Sequence, residues 1–355
     1  MAPTPNGSVD YPFCAAPDDG GALAVAPGVL WIRLTLPFQL DHINVWALDG
    51  GDSGWTLVDT GLGDRRTREV WDGLLATVLA GKPVERVVVT HFHPDHIGAA
   101  DWLVERTGAD FATSLTEWLV ARMLCGGNTP AMEAAAERFY RRSGLDAETQ
   151  AAVRDRAGSY ARGVPGVPAT LTRLRAGDLL NVGSTSWRVI GGAGHTAEPV
   201  SLYDAANGVL IPGDQILPRI SPNISVWPAE PDADPLADYL ASLDAWSELP
   251  ADTLVLPSHG LPFRGLHGRA ADLTDHHAAR LEEIVPFCAM PQTAAAVMRR
   301  LFDRPLDTHQ TVFAMGEAIA HLNHLIRRGA LLRNTGPDGI DLYRRGAGQG
   351  AVTTR

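Results

Sequence analysis

The densest chemistry in the sequence is the stretch Thr90-His91-Phe92-His93-Pro94-Asp95-His96. It places three imidazoles and one carboxylate within six residues. His91 and His93 stand two apart, so on extended backbone both face one side. Asp95 and His96 turn toward a second point nearby. Imidazole and carboxylate together suit zinc, and iron or manganese less selectively.

Three more donors stand beside glycine just past strand-like runs. Gly194-His195-Thr196 follows 187–190, Gly213-Asp214 follows 209–211, and Ser258-His259-Gly260 follows 253–256. Taken singly, each reads as a turn histidine or a capping aspartate. Crevices at the carboxyl ends of strands are where α/β sheets bind ligands. Added to the first loop they make seven donors, enough for two metal ions.

Elements able to hold such donors in place are visible around them. Short apolar runs at 29–36, 43–48 and 55–58 read as strands. The turn Asp59-Thr60-Gly61-Leu62-Gly63 then breaks the pattern. A helix is expected over 65–79, with Val70, Leu74 and Val78 on one face. A β-branched strand at 86–89 leads into the histidine loop, and a helix near 97–106 leaves it. Strands resume at 171–174, 187–190, 200–203, 209–211 and 253–256, with a helix over 235–249 before the last. This strand–helix alternation predicts an α/β sandwich. Residues 114–165 interrupt it as an arginine-bearing helical insertion. Helices are expected again at 269–284, 293–302 and 310–327. Two short extended pieces around the turn Gly336-Pro337-Asp338-Gly339 complete a winged-helix outline. The domains expected are a tail at 1–24, a catalytic unit at 25–265 and a C-terminal unit at 266–355.

Composition narrows the partners. The chain has 355 residues and a formal net charge of −11. Residues 266–355 carry 11 Arg and 9 Asp plus Glu, so that part is near +2 and the rest is acidic. An acidic surface repels phosphate backbones, which disfavours nucleic acid. Cys14, Cys125 and Cys288 form neither a disulfide framework nor a thiolate zinc site, and suit a reducing, cytoplasmic setting. Apolar stretches such as 22–40 are broken by Pro27, Arg33 and Pro37, so no membrane span is expected.

The loop His91–His96, with His195, Asp214 and His259 in that order, resembles the metallo-β-lactamase fold superfamily. Asp59-Thr60-Gly61 looks like the early aspartate turn of that family. The resemblance implies a four-layer αββα sandwich and a binuclear centre, with two zinc ions as the expected cofactor. By resemblance, His91, His93 and His195 bind one ion, Asp95, His96 and His259 bind the other, and Asp214 bridges them. Asp59 would steady the loop beneath. Two dications with Asp95, Asp214 and a bridging hydroxide leave the site about +1 within an acidic protein. Asp95 would orient the hydroxide and pass a proton to the leaving group. His93 stands where diiron redox relatives carry Glu, which points to the hydrolytic branch.

Segments 213–218, 221–224 and 256–263 resemble lactamase-like hydrolases that carry a C-terminal winged-helix-like domain. That subgroup implies thioester or related acyl hydrolysis, on an ester or lactone. An endoribonuclease-like activity is the alternative, and β-lactam hydrolysis a lesser one. Arg219 and Asn223, just past Asp214, are expected to line the substrate pocket; the insertion reads as a solvated helix face, with a lid over the metals as the alternative. His42 and Asn44 read as structural. His276, His277, His321 and His324 read as surface or packing residues. The C-terminal unit reads as a packing or homodimerisation module.

Overall fold

The protein is described as a computed structural model covering residues 9–155 and 158–346. The chain forms two compact units. One comprises Met1–Gly127, Gly158–Pro222 and Asp244–Ala270, and the other Asn128–Ala157, Asn223–Leu243 and Ala271–Arg355.

The elements in order are β1 (Ala22–Ala26), β2 (Val29–Thr35), β3 (His42–Asp49), β4 (Trp55–Val58), α1 (Arg65–Ala76), β5 (Val84–Val88), α2 (Pro94–Ile97), α3 (Ala100–Thr107) and β6 (Asp110–Thr113). Four helices follow: α4 (Leu115–Cys125), α5 (Pro130–Arg142), α6 (Ala147–Asp155) and α7 (Tyr160–Gly163). Next come β7 (Thr172–Arg173), β8 (Leu179–Val182), β9 (Thr185–Gly191), β10 (Val200–Asp204), β11 (Val209–Ile211), α8 (Pro235–Ala245) and β12 (Leu254–Val255). The chain continues through α9 (Leu266–Phe287), α10 (Ala294–Leu301), α11 (Thr308–Arg327), β13 (Leu331–Thr335) and β14 (Asp341–Arg345).

β1 to β7 form one sheet in sequence order. Its β1–β4 pairs are antiparallel, and β4 through β7 run parallel. A second sheet has the order β12-β11-β10-β9-β8. Successive strand residues face opposite sides, and the first sheet uses both faces. Ile32, Leu34 and Val87 pack with Trp71 and Leu74 of α1 and Leu103 of α3. Their neighbours Trp31 and Val88 turn the other way, onto Trp187, Val189 and Leu202 of the second sheet. One core is therefore helix on sheet and the other sheet on sheet, giving the mixed α/β fold. Trp46 and Trp71 are fully buried, and truncating either to alanine costs about 3–5 kcal/mol.

The strand directions bring the donors to common edges. β4 and β5 are parallel, so the Asp59 turn and the histidine loop leave the same edge of the first sheet. In the second sheet β9, β11 and β12 share a direction, because β10 is antiparallel to both β9 and β11. His195, Asp214 and His259 follow those three strands.

The second unit ends in α10, α11 and the antiparallel pair β13–β14. Asp307 and Gln310 form a reciprocal cap at the start of α11, and Thr293 caps α10.

Some expectations need correction. Residues 1–8 of the expected tail lie outside the described residues; in the remainder Asp10 pairs with Arg264, and β1 begins at Ala22. β6 and β8 are additional strands. The expected insertion is helical, yet residues 128–157 belong to the second unit.

Candidate metal centre

The histidine loop starts from a strained turn on the neighbouring strand. Asp59 has φ of 62°, the only left-handed non-glycine among the described residues. Such a conformation costs on the order of 1–3 kcal/mol and persists when its surroundings hold it. Here they do: Asp59 Oδ1 accepts from the Thr90 N–H at 2.8 Å, and Oδ2 from Thr90 Oγ1 at 2.9 Å and His96 Nδ1 at 2.8 Å. The turn therefore grips both ends of the loop that follows β5.

These bonds fix the imidazole tautomers. Thr90 spends its one hydroxyl proton on Asp59, so at 3.0 Å it accepts from His91 Nδ1. His96 donates Nδ1–H to Asp59. His259 donates Nδ1–H to the His42 carbonyl at 2.7 Å. In its neutral form each of these rings is left with an Nε2 lone pair, which is what metal-ligating histidines present when the other nitrogen is tied down.

The donors fall into two groups, each with its ligand atoms within 4.8 Å of one another: His91, His93, His195 and Asp214, then Asp95, His96 and His259. Asp214 faces both. Its Oδ2 lies 3.5 Å from His195 Nε2, and its Oδ1 lies 3.5 Å from His96 Nε2 and from His259 Nε2. Asp95 Oδ2 is 3.4 Å from His259 Nε2.

Charge follows this interleaving. Burial alone would neutralise every group here. Burial and the neighbouring imidazoles do hold His91 well below the usual histidine range, and His93 at about 3. At His259 burial is outweighed by Asp214 and Asp95, which push it to about 10, and Asp59 with the same pair holds His96 well above its ordinary value. In return His96 and His259 overcome the burial of Asp95 and bring it to about 2.

A divalent metal fits these residues. His93 Nδ1 faces His91 Nε2 at 3.0 Å, and His96 Nε2 and Asp214 Oδ1 are buried with no hydrogen-bond partner among the described residues. Leaving such atoms unmatched costs about 1–3 kcal/mol each. All are nitrogen or carboxylate donors of the kind zinc takes, and they converge.

A metallo-beta-lactamase superfamily model matches residues 39–259, and a metallo-beta-lactamase-like C-terminal domain model matches 281–346. The chain belongs to the metallo-beta-lactamase superfamily. A beta-lactamase domain protein from Burkholderia ambifaria is 43% identical, with a TM-score of 0.89, covering 98% of this chain and all of that one. A metallo-beta-lactamase family protein from Thermus thermophilus is 31% identical, with a TM-score of 0.75, covering 91% of this chain and all of that one. A probable metallo-hydrolase of Bacillus subtilis (strain 168), YqjP, is 26% identical over 84% of this chain and 92% of its own length. Family and cluster together give the coarse chemistry: a metallo-hydrolase with a His/Asp site able to hold a divalent metal.

All seven sequence-derived donors of this superfamily site meet in the cluster, and Asp59 lies directly beneath it. The two expected substrate contacts, Arg219 and Asn223, have partners of their own. The Arg219 guanidinium sits over the Tyr11 ring at 5.6 Å. Asn223 belongs to the second unit, where Nδ2 donates to Glu317 at 3.0 Å and Oδ1 accepts from Ser225. His42 and Asn44 support the His259 loop: His42 Nε2 accepts from the Gly260 N–H, and Asn44 Nδ2 donates to the Pro257 carbonyl. Sequence reasoning missed Glu117 and Tyr160, which hold Phe92 between His91 and His93. A lone glutamate in a helix resembles any solvated one, so nothing in the sequence signalled it. No helix among the described residues is long and apolar enough to cross a membrane.

Proposed function

We propose that the protein is a binuclear, zinc-dependent hydrolase of thioesters or related acyl compounds, esters and lactones included. The observation that carries the two-metal reading is Asp214, whose two carboxylate oxygens face the two donor groups. His91, His93 and His195 would hold one ion with Asp214, and Asp95, His96 and His259 the other. Bound there, the ions would supply Lewis acidity, polarising the acyl carbonyl and lowering the pKa of the attacking water.

The chain's own residues would do the rest. Asp95 is the more accessible of the two cluster carboxylates, with its side chain 19% exposed against 10% for Asp214. Its carboxylate would orient the attacking water and carry the released proton to the leaving thiolate or alkoxide. The Asp59 and His42 contacts keep His96 and His259 presenting Nε2 throughout.

The acyl preference rests on the likeness of segments 213–218 and 256–263 to lactamase-like thioester hydrolases. The acidic balance of −11 adds support against nucleic acid. A hydrolysis panel tests it, on full-length protein of measured metal content: acyl-CoA, acyl-glutathione, lactone, β-lactam, phosphodiester and RNA. Turnover of the thioesters or lactone above the others is expected. Preference for RNA, with a salt-sensitive gel shift, would overturn it.

A further inference from the structure

We infer that Glu117 is the positioning residue that assembles the first donor group, by tying together the two loops that carry its three histidines. Glu117 is the third residue of α4, and its backbone N–H donates to the helix-capping Ser114 Oγ at 3.3 Å. A glutamate at that position commonly reaches back to the cap's own N–H. This one reaches outward instead. Its Oε2 accepts from the Phe92 N–H at 2.9 Å, and its Oε1 from the Glu198 N–H at 2.8 Å. Phe92 lies between His91 and His93, and Glu198 lies three residues beyond His195.

Each loop is held a second time. The Phe92 carbonyl accepts from Tyr160 Oη at 2.6 Å. Glu198 returns the contact, its Oε2 accepting from the Thr116 N–H of α4 at 3.1 Å. The second donor group depends on different anchors, Asp59 for His96 and the His42 carbonyl for His259. Glu117 touches neither of these anchors; its contacts fall on the peptides near His91, His93 and His195.

The chemistry requires a carboxylate. Glu117 is 1% exposed, and two backbone N–H groups converge on it from different loops. A carboxylate is acceptor-only and offers an oxygen to each. Glutamine has the same shape but one oxygen and one NH2, so in either orientation one loop's N–H meets a donor. Loss of such an outer contact typically weakens metal binding about 10–100-fold.

This inference rests on the two-metal reading, and the test separates the two. Metal-stripped full-length protein is titrated with Zn2+ against a chromophoric chelator. Wild type is expected to bind in two steps, with His195→Ala removing one and His259→Ala the other. If those controls do not each remove one step, the two-metal reading fails on its own. With the controls in place, Glu117→Gln should weaken only the step that His195→Ala removes, about 10–100-fold. Glu117→Asp keeps both acceptors on a shorter arm and should show the same selective loss at smaller size. It also serves if the glutamine variant does not fold. Both steps weakened equally, or neither, would overturn the inference; a purely structural residue lowers the unfolding temperature without choosing between steps.

Discussion

The protein buries two histidine-rich clusters, and they resolve the cost of burial in opposite ways. In the first unit, carboxylates are interleaved with imidazoles, so His259 rises to about 10 while Asp95 falls to about 2. In the second unit, His277, His321 and Glu317 are also buried, but each is driven toward its neutral form. Burial lowers His277 well below its usual range and His321 to about 4, and raises Glu317 to about 7. Hydrogen bonding there runs as a chain. His321 Nδ1 donates to the Glu317 carbonyl at 2.8 Å, which leaves its Nε2 to accept from His277 Nδ1 at 3.2 Å. The Glu317 carboxylate turns to Asn223 instead. Histidine number does not distinguish a ligand site from a polar core. Placement of carboxylates between the rings, with several donor atoms converging, does.

The sharpest way to break that contrast is Asp214→Ala. It removes the shared carboxylate, and metal content and turnover should fall together, turnover by about 10³-fold or more. Elemental analysis beside a rate measurement checks it, and full turnover in a metal-depleted variant would contradict it. Next comes Glu317→Gln. The folded pKa of Glu317, about 7, lies above its ordinary 4.5. The stability this group contributes is therefore complete below about pH 4.5 and lost as pH rises through about 7. Against wild type, the glutamine variant should be relatively more stable at pH 8 than at pH 5, by on the order of 3 kcal/mol, as read from urea unfolding.

Asp59→Asn keeps a side chain tolerant of left-handed backbone but removes the charge opposite His96. Metal affinity should fall about 10–100-fold, measured by chelator competition. The smallest effect is expected for His321→Ala, which strands the His277 Nδ1–H. It should cost about 1–2 kcal/mol in stability and leave metal content and turnover unchanged. Metal loss there would erase the distinction between the two clusters.

Much of the site was legible because its donors sit in short motifs at strand ends, where type and spacing carry chemistry. His195, Asp214 and His259 each stand beside glycine after an apolar run. The order of three helices and a hairpin over 266–346 was also readable, the hairpin from its turn at 336–339. Short strands were harder. β6 and β8 have four residues each, too few for alternation to stand out, and β1 is built largely of alanine. Asn223 stands where the chain passes into the second unit, a boundary that nothing in the sequence marks. Glu117 was invisible because its two partners are backbone N–H groups 25 and 81 residues away.

The central claim is that two ions held by seven side chains drive a hydrolysis. Its most direct test is to strip the full-length protein of metal and return Zn2+ in measured steps, following turnover of the best substrate in the panel. Turnover should be absent in the stripped protein and rise until two ions are bound per chain. Full turnover before any metal is returned would contradict the account.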